Sequence, residues 1–249
     1  MLTLLTTLLP IALLPALPSS DLESIGKRVW QNEAAGQISG LTAWNSGEAF
    51  ASLGIGHFIW YPAGPKGPFE ESFPALLLFL QHNGKSLPEW LKPGGPCPWP
   101  DRAAFLKDAS SPKMVELRTL LASTIPLQSL FLAERLDRAL PAMLETLTQA
   151  KRAQIHANFE RLAGSAQGRF ALIDYVNFKG EGTKASERYQ GQGWGLLQVL
   201  ETMPPTGTVA DFSHAAAEVL ARRVRNAPPE RGEQRWLPGW TNRVKDYSR

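Results

Sequence analysis

The stretch Trp44-Asn45-Ser46-Gly47-Glu48-Ala49-Phe50-Ala51-Ser52-Leu53-Gly54-Ile55-Gly56-His57 decides the fold of this chain. It belongs to a segment, 41–62, that is rich in Trp, Phe, Ile and Gly and alternates in part between apolar and polar residues. This composition predicts a short sheet. Gly47, Gly54 and Gly56 suit its turns and bends.

The segment just before this sheet, 21–36, has the pattern of an amphipathic helix, with Ser20 or Asp21 suited to cap its start. Glu33 therefore falls near the C-terminal end of a helix that leads into the sheet. The apolar residues that recur at helical spacing are Leu22, Ile25, Val29 and Trp30.

Helical patterns fill most of the remaining chain, separated by an irregular Pro-rich loop at 87–101 and a polar Gly-rich loop at 180–193. We expect an α+β fold that is predominantly α-helical, with a small N-terminal β-hairpin or sheet and a helical lobe. The predicted helices are 69–83, 101–109, 112–124, 127–164 with a break near Pro141, 169–178, 194–203 and 211–225.

The first twenty residues carry no charge and are mostly Leu, Thr, Ala and Pro. Interrupted by Pro10, Pro15 and Pro18, this apolar segment is too short for a stable membrane anchor, and it predicts a signal peptide, 1–20, and a periplasmic or secreted protein. The positive residues that usually open a signal peptide are missing. A misassigned start or a merely apolar tail is the alternative.

Length, cysteine content and charge limit the domain organisation and the partners that the remainder of the chain, 21–249, can have. A chain of 249 residues can form one core, so we expect a single domain and a monomer. A single cysteine, Cys97, cannot form an internal disulfide and is interpreted as a packing thiol in a loop.

The sequence has no zinc spacing, phosphate-binding Gly loop or nucleic-acid module, so no metal, cofactor or nucleic-acid partner is predicted. The net charge of +3 is compatible with an anionic polymer as partner.

The quoted stretch resembles the hairpin of phage-type lysozymes and endolysins, in which a catalytic Glu ends the first helix and a Gly-Ile-Gly-His strand follows. Two later segments, 171–180 and 237–243, are similar to the core helix and the late segment of those enzymes, in the same order. The resemblance implies a lysozyme-like domain over 21–249, with an inserted helical region around 63–168, that cleaves the glycan of peptidoglycan or a related amino-sugar polymer.

Residue roles also follow from the resemblance. Glu33 matches the general acid, which must be held protonated beside the leaving oxygen. Ser46 and Ser52 stand where the family has Asp and Thr, so Glu48 is the nearest second carboxylate. We expect Glu48, with Ser52 or His57, to orient water or stabilise the cationic transition state. Contacts with substrate are expected from His57, Tyr189, Gln198 and Trp44.

A second pattern is similar to lytic transglycosylases. Glu181, followed by Gly195-Leu196-Leu197-Gln198, would then be the acid. Its polar neighbours make burial less favourable than at Glu33, which follows Val29 and Trp30. The sequence leaves three further hypotheses open: a non-catalytic wall-binding protein, an interaction protein with Trp-rich loops, and a protein that binds nucleic acid through its basic C-terminal region.

Overall fold

The computed structural model describes residues 18–145 and 147–249. Helices dominate and the strands are few, which confirms an α+β fold that is predominantly helical. The helices are α1 Ser19–Ala34, α2 Phe73–His82, α3 Arg102–Lys107, α4 Pro112–Ser123, α5 Ile125–Glu145, α6 Gln149–Ala163, α7 Ala166–Lys179, α8 Leu196–Thr202, α9 Val209–Asn226 and α10 Leu237–Lys245. The strands are β1 Thr42–Ala43, β2 Ala51–Leu53, β3 Phe58–Trp60, β4 Arg188–Tyr189 and β5 Gln192–Gly193.

The predicted sheet is three-stranded and antiparallel, in the order β1-β2-β3. Thr42 pairs with Leu53, and Ala51 pairs with Trp60. All three residues of β2 are buried, because the strand lies between its two neighbours and against the core. The Gly-Ile-Gly-His stretch forms the turn between β2 and β3.

A second hairpin lies within 180–193, a region predicted as loop. Strands β4 and β5 pair through Arg188 with Gly193 and Tyr189 with Gln192. The two residues of the turn, Gln190 and Gly191, both have positive φ, at 50° and 75°. Turns with two positive φ values match the twist of a tight hairpin, although the dipeptide here is not the Asn-Gly that usually signals one.

The predicted helix 69–83 begins later, at Phe73. The residues before it are held against β3: the backbone N–H of Tyr61 donates to Glu71 Oε1 at 2.9 Å, and that of Ile59 donates to Ser72 Oγ at 3.0 Å. Pro74 then occupies the first turn of α2, where its missing N–H costs no helical hydrogen bond.

The predicted helix 127–164 is divided into α5 and α6, as expected, but the division lies after Glu145 and not at Pro141. Pro141 lies inside α5, and the chain leaves the helix between Glu145 and Gln149. Leu140 and Met143 on either side of the proline are buried. Their packing keeps this part of the chain helical despite the hydrogen bond that proline cannot donate.

Helix α7 runs through the middle of the core. Every residue from Phe170 to Val176 is buried, as expected for a helix surrounded by other elements. It packs against α1, α5, α6, α8 and α9. The C-terminal end of α7 brings Asn177, Phe178 and Lys179 to the end of α1.

The N-terminal region is described only in part. Residues 1–17 lie outside the described part of the chain, so most of the predicted signal peptide does too, whereas Ser19 and Ser20 belong to α1. None of the helices within 18–145 and 147–249 combines the length and apolarity needed to cross a membrane.

Cys97 is buried, and its backbone N–H donates to the carbonyl of Tyr61 at 2.8 Å. Burial raises the pKa of its thiol to about 12. Because the thiolate is the reactive form, alkylation of the native protein near neutral pH is expected to be at least roughly 10³-fold slower than that of the denatured protein. Mass spectrometry after timed iodoacetamide treatment measures both rates, and equal rates would contradict burial of the thiol.

Candidate active site

Four elements meet at the carboxylate of Glu33, in the last turn of α1. Arg243 of α10 donates to its Oε1 at 2.7 Å, and Asn177 of α7 donates to the same oxygen at 3.2 Å. His57, in the β2–β3 turn, places Nδ1 3.7 Å from Oε2. The Glu33 side chain is only 15% exposed. Its burial agrees with expectation, but its immediate partners are polar rather than apolar.

Arg243 is held in place by a second, fully buried carboxylate. Its Nε and one terminal nitrogen donate to the two oxygens of Asp174, both at 2.8 Å. Tyr247 and Asn32 also donate to Asp174, at 2.6 and 3.2 Å. Burial works against the charge of Arg243, but Asp174 and Glu33 outweigh it and keep the pKa of Arg243 well above its usual value.

The glycines of the β2–β3 turn allow it to approach α5 and α7 closely. Gly54 has φ +70°, and a Cβ there would overlap Gln128 Oε1, which accepts a hydrogen bond from the Ile55 N–H at 2.9 Å. A Cβ on Gly56 would lie 3.0 Å from Asn177 Oδ1. Larger residues would push the turn, and His57 with it, away from Glu33.

His57 itself has a left-handed backbone conformation, with φ +48°. Its Nε2 is buried without a hydrogen-bond partner among the described residues, whereas Nδ1 faces Glu33. A non-glycine residue in this conformation is uncommon, and such strain is typical of functional sites.

Glu48 lies in the turn between β1 and β2, on the side of the sheet that His57 faces. Its Oε2 accepts from Asn45 at 3.1 Å, and its carbonyl accepts from the Trp44 indole N–H at 2.8 Å. Burial raises the pKa of Glu48, while Asn45 and the charge of His57 oppose the shift. Trp44 is itself buried against Phe105, so it positions Glu48 and has little surface for a sugar.

Two other predicted site residues are buried away from this cluster. Ser52 lies in the central strand, opposite Ile59, and is 4% exposed. Gln198 accepts a hydrogen bond from the Gly195 N–H at 3.0 Å and donates to the Gly182 carbonyl at 3.2 Å. Both polar groups of its side chain are used to hold the loop that begins at Gly180.

The alternative acid, Glu181, lies in this loop and is paired with α5. Its Oε1 accepts a hydrogen bond from Nε of Arg135 at 3.1 Å, and a terminal nitrogen of Arg135 lies 3.1 Å from the same oxygen. The N–H of Leu197 donates to the Glu181 carbonyl at 3.0 Å, so the Gly195–Gln198 segment does contact the Glu181 loop.

A row of alternating cations and aromatic rings extends from Glu33 to Tyr189. The ammonium of Lys179 lies 3.8 Å from the Phe178 ring centre and 3.5 Å from that of Trp240. The guanidinium of Arg223 lies 4.1 Å from the ring centre of Trp194, on which Tyr189 stacks. We call Phe178, Lys179, Trp240, Arg223, Trp194 and Tyr189 the cation–aromatic row.

Sequence reasoning gave no role to Asp174, Asn177, Lys179 or Arg243. All four lie in the two segments, 171–180 and 237–243, for which the sequence suggested a resemblance to phage-type lysozymes, and that resemblance is the signal that could have found them.

Two surface pockets lie elsewhere. One, of about 470 Å³, is lined by residues of 86–88 and α4, and the other, of about 270 Å³, lies between α1 and α7. Within 18–145 and 147–249, no group of three or more His, Cys, Asp or Glu is placed to hold a metal ion. Comparison with protein-family models, curated proteins and solved structures gave no match.

The raised pKa of Glu48 gives a testable pH dependence. The native protein keeps this proton to a higher pH than the unfolded chain, so its stability falls as pH rises from 4.5 through the raised pKa. Glu48→Gln lacks this loss and should gain stability relative to wild type between about pH 4 and pH 7. Urea unfolding at several pH values measures the difference in free energy of unfolding between the variant and wild type.

Glu23→Gln is the control. Because Lys27 lowers the pKa of Glu23, this variant should instead lose stability relative to wild type as pH rises towards 4.5. A pH-independent difference for Glu48→Gln would contradict the assignment.

Proposed function

We propose that this protein is a lysozyme-like glycosidase that cleaves the glycan backbone of peptidoglycan, with Glu33 as the general acid. The observation that carries the proposal is the position of Glu33 at the junction of α1, the Gly-Ile-Gly-His turn, α7 and α10. The substrate lies outside the cytoplasmic membrane, so the proposal requires export, for which 1–20 is the predicted signal.

The partners of Glu33 are compatible with proton transfer. Arg243 is already neutralised by Asp174 through two hydrogen bonds, so protonation of Glu33 leaves an intact buried ion pair behind. The last turn of a helix also carries partial negative charge, which disfavours an anionic side chain. The proposal relies on the expulsion of water by the substrate to make Glu33 a proton donor to the glycosidic oxygen.

Glu181 is less suited to this role. The carboxylate of Glu181 forms the ion pair with Arg135, and its protonation would remove that negative charge from a partly buried guanidinium. His57, which we assign with Glu48 to the other side of the scissile bond, lies beside Glu33.

In the proposed mechanism, Glu33 donates a proton to the glycosidic oxygen between two amino sugars. His57 and Glu48 then orient a water molecule or stabilise the positive charge that develops on the sugar ring. The inverting geometry leaves about 6.5–9.5 Å between the two carboxyl groups for that water. The partly exposed rings of the cation–aromatic row, Phe178, Trp240 and Tyr189, extend the contact surface, since sugar faces stack on aromatic rings.

A lytic transglycosylase is the second candidate. The contact between the Glu181 loop and the Gly195–Gln198 segment favours it. In that reaction the muramyl hydroxyl replaces water as nucleophile, and the product is an anhydro sugar.

Digestion of purified sacculi by the wild-type protein tests the proposal. We expect soluble muropeptides whose new ends are reducing sugars, identified by mass spectrometry after borohydride reduction. Anhydro ends would instead support the transglycosylase. Sacculi that bind the protein without release of fragments would support a non-catalytic wall-binding protein and overturn the enzyme.

A further inference from the structure

Lys179 is the cation in the candidate site that lacks a carboxylate of its own. Arg243 has Asp174 and Glu33 as partners, and Arg223 donates to both oxygens of Glu233 at 2.8 Å. Lys179, within the described part of the chain, makes no hydrogen bond or ion pair, and its ammonium lies over the rings of Phe178 and Trp240.

Cations outnumber carboxylates in this cluster even when Glu33 is ionised. Glu33, Asp174 and Glu233 face four cations, since Arg231 also approaches Glu233, at 3.5 Å, beside Lys179, Arg223 and Arg243. If Glu33 carries the proton that it donates in the proposed reaction, the excess of positive charge grows by one. Lys179 is the member of this group that has no ion pair of its own.

The ammonium of Lys179 is also open to a ligand. The residue is only partly buried, and its nitrogen is not among the buried atoms without a partner, so it keeps contact with solvent. The two rings fix its direction. Burial, Arg223 and Arg243 hold the pKa of Lys179 well below its ordinary value, while Glu233 and Glu33 oppose the shift. An anionic ligand beside the amine would favour its charged form in the same way as these two carboxylates.

We propose that Lys179 determines substrate specificity: its ammonium binds a carboxylate carried by the glycan next to the bond that Glu33 protonates. The inference rests on the proposed function and narrows the substrate to acidic amino-sugar polymers, as opposed to neutral ones such as chitin. Two groups of peptidoglycan have this chemistry, the lactyl carboxylate of a muramic acid without its peptide and the carboxylates of the stem peptide.

The test compares four glycans: strands with stem peptides, strands freed of peptides by an amidase, the same freed strands with their carboxylates converted to methylamides, and chitin oligosaccharides. Wild type should cleave the freed strands roughly 10–100-fold better, in kcat/KM, than their methylamides. Lys179→Met should lose this preference through KM, so that its loss on the freed strands is roughly 10–100-fold larger than any loss on the methylamides or on chitin. Lys179→Arg should keep part of the preference for free carboxylates. If instead only peptide-bearing strands lose cleavage in Lys179→Met, the stem peptide supplies the carboxylate.

Lys113→Met is the matched control, because Lys113 also lies over a tryptophan ring, at 5.4 Å from the centre of Trp90, but on α4, outside the candidate site. Its substrate preference should equal that of wild type. Lys179→Met keeps the apolar stem between the two rings, and its melting temperature should not fall. An equal loss on charged and neutral glycans, or no loss on either, would overturn the proposal.

The pH dependence of the preference for free carboxylates is a further test of the proposal. The preference for free carboxylates should fade as pH rises, at a lower pH than for an ordinary lysine, because burial, Arg223 and Arg243 lower the Lys179 pKa while Glu233 and Glu33 oppose the shift. If wild type cleaves none of the four glycans, the proposed function fails. Equilibrium binding of the freed strands and their methylamides then tests Lys179 alone: a preference that Lys179→Met abolishes supports it, and equal binding overturns it.

Discussion

Glu33→Gln is expected to lower the rate of muropeptide release by about 10²–10⁴-fold, the usual contribution of a positioned general acid. Glutamine has the same shape and can still accept hydrogen bonds from Arg243 and Asn177 through its amide oxygen, but it has no proton to donate to the glycosidic oxygen. The Arg243–Asp174 pair does not depend on residue 33. The loss should therefore occur in kcat, with a melting temperature close to that of wild type.

Glu181→Gln is the matched control, since Glu181 is also a carboxylate paired with arginine and also 15% exposed. It should retain activity within a few-fold of wild type. The reverse result, with activity in Glu33→Gln and none in Glu181→Gln, would move the acid to Glu181 and favour the transglycosylase. Full activity in both variants would place the catalytic acid at neither residue.

Asp174→Asn is expected to reduce the free energy of unfolding by about 3–5 kcal/mol, as when one partner of a buried ion pair is removed. Asp174 is fully buried and accepts hydrogen bonds from Arg243, Tyr247 and Asn32. An amide in its place leaves the guanidinium of Arg243 without its buried counter-charge. It also turns two donor hydrogens towards groups that themselves donate, so part of the network is left unsatisfied.

Urea unfolding followed by circular dichroism measures this loss, with Asp246→Asn as control. Asp246 also pairs with an arginine, Arg249 at 2.9 Å, but the pair is exposed, and its removal should change stability by less than ~0.5 kcal/mol. If the two variants lose equal stability, the Asp174 network does not anchor α1, α7 and α10 as described.

Local sequence patterns predicted the parts of the fold that depend on neighbouring residues. The apolar spacing of Leu22, Ile25, Val29 and Trp30 predicted α1, and the Gly and aromatic content of 41–62 predicted the sheet. The sequence patterns gave wrong predictions where contacts between distant residues determine the secondary structure. Packing of Leu140 and Met143 carries α5 through Pro141, and the hairpin at Arg188–Gly193 forms from a dipeptide, Gln190-Gly191, that does not usually signal a turn.

In the candidate site too, some residues were predicted correctly from local sequence and others were not. Glu33 and His57 were named from order along the chain and lie together in the structure. Ser52 and Gln198 were named on the same grounds, but their side chains are buried within the sheet and the Gly180 loop. Whether a side chain faces a site or the core depends on elements that pack from distant parts of the chain, which spacing within one segment does not specify.

The sequence by itself determined that the chain is mostly helical, that a small glycine-bearing sheet follows the first helix, and that a carboxylate ends that helix, because these features depend on residues only a few positions apart. Only the tertiary structure decided the surroundings of that carboxylate. Asp174 and Arg243 reach Glu33 from α7 and α10, far away in sequence, and Lys179 is placed between the rings of Phe178 and Trp240 by the same packing. Ion pairs across such separations depend on how the helices pack, which local sequence does not specify.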